Sequence, residues 1–151
     1  MIVCFKKGAD SFFDWAIRLR TLSKYVHSEL LFSDGATWRI EPGDQPSVHF
    51  ETGVVYDNAN WDKIFIDVEE DMIRAWCVTQ VGKNYDWVGI LNFIAPFGEN
   101  DDNDLFCSEG CTLALQQVGM LKTVTAKLVS PGALYNLLTV HASVKAALRG
   151  I

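Results

Sequence analysis

Tyr25-Val26-His27-Ser28-Glu29-Leu30-Leu31-Phe32 runs into Ser33-Asp34-Gly35 and returns through Ala36-Thr37-Trp38-Arg39-Ile40-Glu41. Two runs rich in β-branched and aromatic residues, separated by a short Ser-Asp-Gly cluster, specify a β-hairpin. Its register is set by the turn. If Phe32 pairs with Ala36, paired indices keep a constant sum and His27 stands opposite Glu41, where cross-strand side chains meet. A slip of one residue would undo that pairing.

Outward from the hairpin, the pattern mixes strands and helices. Residues 2–5 suit a buried strand, and Asp10-Ser11 supplies an N-cap for a helix through Phe12, Phe13, Ala16, Ile17 and Leu19 to about Leu22. Pro42-Gly43 and Gln45-Pro46 break the chain before β-like segments at Val48 to Tyr56 and Trp61 to Val68. Glu69-Glu70-Asp71 places acids where a helix dipole favours them, and that helix runs to Val81 before Gly82. Tyr85 to Phe93 suits a short helix, Pro96 to Asp104 a polar acidic loop, and Cys107 to Val118 a helix stopped at Gly119. Ser130-Pro131 opens the last helix. The expectation is one α+β domain over residues 1–151, an antiparallel sheet packed against helices.

Composition excludes several function classes. The chain has 151 residues, 49% of them apolar, enough to bury a core without disulfides. A net charge of −6 with scattered Lys and Arg argues against a nucleic-acid partner. No apolar run is long enough for an integral membrane segment. The N-terminus, apolar and then charged, inverts a signal peptide, so the default expectation is a reducing cytoplasm. There the four cysteines, Cys4, Cys77, Cys107 and Cys111, are free thiols.

Chemistry concentrates at Asp104-Leu105-Phe106-Cys107-Ser108-Glu109-Gly110-Cys111. A cysteine in the first turn of a helix lies among unpaired N–H groups at the positive end of the dipole, which favours thiolate and supplies oxyanion donors. The alternative for Cys107 is a small core residue. A nucleophile needs a base, and the histidines are His27, His49 and His141. His27 is the leading candidate, with Glu41 opposite it to orient the ring. Glu29, on the same strand face as His27, is an alternative orienting carboxylate. His49, two residues from Glu51, is the second candidate base. His141, on the last helix, is a structural or exposed residue.

Zinc is disfavoured because Cys107 and Cys111 are four apart with no second cysteine pair. The acidic loop 99–104 lacks the glycine and glutamate of a calcium-binding EF-hand loop. No metal or cofactor is therefore expected.

Several segments resemble the permuted papain-like amidases, the circularly permuted branch of the NlpC-type cell-wall cysteine peptidases, with the lecithin retinol acyltransferase family as a relative. Residues 23–35 resemble the family's histidine strand and turn, Gly82-Lys83-Asn84-Tyr85-Asp86 its Gly-x-x-Tyr-Asp element, Phe106-Cys107-Ser108-Glu109 its nucleophile motif, and Ser130-Pro131-Gly132 a following helix start. The likeness spans roughly residues 2–140 in order. It implies a circularly permuted papain-like fold and a thiol hydrolase acting on a peptide or amide. Cys107 is then the nucleophile, His27 the base and Glu41 the third member, with Arg39 as the other possibility for that position and Tyr85 and Ser108 near the oxyanion or pocket. Acyl transfer or lipid and thioester hydrolysis with the same triad, and a binding or structural protein that kept the fold, are the alternatives. The residue after His27 is small and apolar in the family, whereas Ser28-Glu29 is polar here.

Overall fold

The turn at Ser33-Asp34-Gly35 closes as its sequence specifies. The Phe32 N–H donates to the Ala36 carbonyl at 2.9 Å, and Gly35 takes a positive φ of 85° that a side chain would resist. Leu30 then faces Trp38 and Leu31 faces Thr37. The computed structural model describes residues 1–8, 12–42, 47–89 and 104–149. Its elements run β1 (Ile2–Lys7), α1 (Phe12–Thr21), β2 (Tyr25–Leu31), β3 (Ala36–Ile40), β4 (Val48–Thr52), β5 (Trp61–Phe65), α2 (Glu70–Gln80), α3 (Cys107–Gln116), a 3-10 turn (Ala126–Leu128) and α4 (Pro131–Arg149). The expected cap at Asp10-Ser11, the break at residues 43–46, the end of the Tyr85–Phe93 helix and most of the acidic loop lie outside the described residues.

The five strands form one antiparallel sheet in the order β4-β3-β2-β1-β5. The architecture is α+β. The strand expected through Tyr56 stops at Thr52, because Gly53 turns out of the sheet with φ 78°. The strand expected through Val68 stops at Phe65. At the acidic start of α2, Glu70 ion-pairs with the Met1 amino group at 2.6 Å and accepts from Ser33 N–H at 3.0 Å. Those acids therefore tie the helix to β1 and the hairpin as well as complementing its dipole.

Two local features position the residues of the site. Lys6 faces His27 but Lys7 faces Tyr25, so Val26 is an extra residue in β2, a β-bulge. Bulges bend a strand and re-aim the side chains beside them. Tyr25 thereby joins the core and stacks on Tyr135 of α4 at 4.2 Å. The second feature is the close approach of α3 to the sheet. A Cβ on Gly110 would fall 2.3 Å from Ile40 Cδ1 and 2.9 Å from Trp38 Cη2, so only glycine lets α3 lie this close. Trp38, Ile40, Leu30, Phe5 and Phe106 fill the core at this contact.

Candidate active site

Cys107 is the first residue of α3, after an extended Phe106 with φ −106° and ψ 164°. That chain reversal leaves the early N–H groups of the helix around the sulfur. Backbone amides of Ser28 and Ser108 hydrogen-bond to it, and so does the His27 ring. His27 Nε2 and Glu29 Oε1 lie 2.9 Å apart. The arrangement is a chain of three, Cys107 to His27 to Glu29.

The charges follow from this contact. Burial alone would raise the Cys107 pKa, but the His27 charge, the His27 hydrogen bond and the two amides hold it below the ordinary thiol value. Burial alone would lower that of His27. The Cys107 charge and hydrogen bond, followed by those of Glu29, outweigh it and lift His27 to about 10. Both shifts favour the thiolate–imidazolium form of the pair. The other three cysteines differ. Burial pushes Cys4 to about 12, and it pushes Cys77 and Cys111 well above the ordinary thiol value.

Glu29 is fully buried, with a side chain 0% exposed. Burial would raise its pKa, but His27, the Tyr56 hydroxyl and the Arg39 charge bring it down to about 2. Tyr56 O–H donates to Oε2 at 2.6 Å, and Arg39 Nε donates to Oε1 at 2.9 Å. The Tyr56 oxygen is also 3.1 Å from Thr37 Oγ1. Carboxylates with several donors of this kind stay ionised when buried.

The carboxylate hydrogen-bonded to the imidazole is Glu29; Glu41, expected there from the hairpin register, lies within 4.8 Å of this pair. The register holds at Leu30–Trp38, and then the β2–β3 ladder opens, so it does not carry on to a His27–Glu41 pair. Glu29, two residues along the same strand, reaches the imidazole instead, and Glu41 turns to Arg39 Nη2. Arg39 Nη1 also bonds Glu51, so Arg39 neutralises carboxylates and neither accepts protons nor orients the ring. His49 is opposite Arg39 on β4, two strands from β2, with Nδ1 3.3 Å from the Ser47 carbonyl; the structure does not bring it to Cys107. His141 is exposed on α4, against Phe65, Met120 and Lys145.

Ser108 contributes its backbone amide alone. Its hydroxyl donates to the Val129 carbonyl at 2.7 Å and ties the start of α3 to the loop before α4. Tyr85 is placed by a bridge to Leu105, just before the nucleophile helix. Burial first, then the charge of Cys107, drives its pKa well above that of a free tyrosine, so it stays a neutral O–H donor.

A cleft of about 290 Å³ opens beside this chain, walled by His27, Tyr85, Trp61, Trp87, Arg39 and Glu41 among others. Cys107 itself is 1% exposed, behind the wall of this cleft that His27 contributes. Tyr56, Trp61 and Trp87 are site residues that no sequence signal marked. Tyr56 comes from a loop and Trp61 from the start of a strand, with no motif around them, whereas Trp87 directly follows the Gly82–Asp86 element.

His27, Glu29 and Glu41 have donor atoms within 4.8 Å of one another, a trio that could in principle hold a metal ion. The Arg39 guanidinium bonds both carboxylates and already occupies the place of a cation. The residues therefore do not fit a metal site. The chain matches no protein-family model, no curated protein and no solved structure. Among the described residues no helix is long and apolar enough to cross a membrane.

Proposed function

We propose that this protein is a cysteine-dependent hydrolase that cleaves a peptide or amide bond through an acyl-enzyme on Cys107. The observation that carries the reading is His27, bonded on one side to the sulfur of Cys107 and on the other to buried Glu29. The thiolate attacks the carbonyl carbon. The amides at the start of α3 and the Tyr85 hydroxyl stabilise the oxyanion. His27 gives its proton to the leaving amine, then takes one from water as the water attacks the thioester. Glu29 holds the imidazolium and its orientation throughout. With histidine on an early strand and cysteine on a late helix, the fold is read as a circularly permuted papain-like one.

A second reading is favoured by one observation. Ile17 of α1 lines the cleft, and the same helix exposes Trp15 and Leu19, with Leu22 just beyond it 90% exposed. Exposed apolar surface on a helix that lines the cleft suits an acyl-chain ester.

The test is intact-mass detection of an acyl adduct on the protein incubated with cell-wall stem peptides in one arm and lipid esters in the other. An adduct from peptides that is lost in Cys107→Ala supports the amidase. An adduct from esters alone moves the protein to the lipid reading. No adduct in either arm, in protein whose Cys107 alkylates readily, points to a fold kept for binding.

A further inference from the structure

The cleft carries more negative charge than its catalytic chain uses. The His27 ring is shared by the Cys107 sulfur and Glu29, and Lys6 lies 3.9 Å from Asp14. Arg39 is divided among Glu29, Glu41 and Glu51. One guanidinium cannot balance the last two once Glu29 has also drawn on it. Glu41 is the carboxylate of this group that lines the cleft, with a side chain 39% exposed. Arg39 engages its Oε1, and its second oxygen has no partner among the described residues.

The walls add a second, independent feature. Trp61, Trp87 and Tyr85 line the same cleft. Tyr85 and Trp87 lie at 5.0 Å, Tyr56 packs on Trp61 edge-on at 4.8 Å, and His27 lies 6.3 Å from the Trp61 ring. Aromatic faces with one carboxylate are the surroundings in which ammonium groups are bound, by cation–π attraction and a charged hydrogen bond.

We propose that the His27 side of this cleft is a subsite for an ammonium group of the substrate, with Glu41 as the residue that selects it. The inference rests on the hydrolase reading. It narrows the substrate to a peptide or amide bearing a free amine close to the bond cleaved. Because His27 protonates the leaving group, the amine belongs to the leaving side of that bond. Glu41 is a specificity residue in this scheme and takes no part in the chemistry.

The test needs no knowledge of the natural substrate. Three methanethiosulfonates share one reaction: the thiolate attacks the sulfenyl sulfur, a mixed disulfide forms and methanesulfinate leaves with the electron pair. The 2-aminoethyl reagent is cationic, the methyl reagent neutral and the 2-sulfonatoethyl reagent anionic. Rate constants at Cys107, assigned by peptide mapping, are divided by those of a small free thiol. Focusing of opposite charge by a cleft is worth about tenfold or more in rate. The cation-to-anion ratio should therefore exceed that of the free thiol by at least about tenfold. It should drop several-fold in Glu41→Gln, and in the unaltered protein it should shrink between about 0.01 M and about 1 M salt as the charges are screened. A ratio at or below that of the free thiol, or one unmoved by Glu41→Gln in folded protein, overturns the subsite and leaves the nucleophile standing. Failure of Cys107 to react even with the neutral reagent overturns the hydrolase reading, and the subsite with it.

Discussion

Glu29 and His27 stand two residues apart on β2, and their side chains meet at 2.9 Å between Oε1 and Nε2. The period of a strand puts i and i+2 on one side, so a single short segment supplies both the proposed base and the carboxylate bonded to it. The third partner, Cys107, arrives from the start of α3. The cost of burying a full carboxylate is met by three donors, His27, Arg39 and Tyr56.

Glu29→Gln should lower the pKa of His27. In the unaltered protein the imidazolium persists to about pH 10. Removing an adjacent opposite charge moves such a group by about 1–3 pH units. The midpoint, followed by NMR of the imidazole, should fall by that amount, and alkylation of Cys107 at mildly acidic pH should slow. Glu41→Gln should move the midpoint less. The reverse ranking would return the orienting role to Glu41.

Tyr56→Phe should destabilise the protein in a pH-dependent way. The Tyr56 hydroxyl donates to ionised Glu29, and a hydrogen bond to a charge contributes about 1.5–3 kcal/mol. Glu29 has its folded pKa lowered from 4.5 to about 2, so its stabilisation is present above 4.5 and lost as pH falls through 2. Urea unfolding should therefore show the full gap between Tyr56→Phe and the parent near neutrality and a smaller one near pH 3. An equal gap at both would mean that Tyr56 acts through packing alone.

The hairpin and the last helix were legible because their signals are local. Ser33-Asp34-Gly35 fixes the Phe32–Ala36 closure, and Ser130-Pro131 marks the start of α4 one residue ahead. The paired register stops short of His27 and Glu41 for a non-local reason. The β2–β3 ladder opens beyond Leu30–Trp38, and the bulge at Val26 alters the path of β2, neither of which leaves a mark in the hairpin sequence. Glu29 was visible as a same-face neighbour, but an acid on a strand looks like a solvated one until its donors are known. Two of them, Arg39 and Tyr56, arrive from 10 and 27 residues away.

Glu109→Gln should stabilise the protein at alkaline pH. Glu109 is 2% exposed in the first turn of α3, and its Oε2 has no hydrogen-bond partner. Burial raises its pKa to about 7; the Phe106 amide opposes this, Asp86 adds to it, and Lys127 and Lys83 oppose it. A folded pKa above the unfolded 4.5 means stability that is full below 4.5 and lost as pH rises through 7. The neutral amide avoids that loss, a gain on the order of 2–3 kcal/mol at pH 8 that vanishes below about pH 4.5. Thermal melts across that range check it, and a gain independent of pH would refute the titration account.

Gly110→Ala should separate the nucleophile from its base without touching either. The new methyl group meets Ile40 Cδ1 at 2.3 Å and Trp38 Cη2 at 2.9 Å, and both side chains are 1% exposed, so neither can swing into solvent. The helix must lift from β3, and Cys107, one turn earlier on α3, lifts with it. Overpacking of this kind costs about 1–3 kcal/mol. The larger effect should be on chemistry, since a shift near 1 Å can cost about 100-fold in rate. In folded Gly110→Ala protein, alkylation of Cys107 at mildly acidic pH should fall by about tenfold or more. Ile40→Val removes the Cδ1 atom that clashes first. The double variant should therefore recover part of both stability and reactivity, whereas Ile40→Val alone only loses packing. If Gly110→Ala keeps the parent's reactivity, or Ile40→Val fails to relieve it, the close seating of α3 on β3 does not set the Cys107–His27 contact.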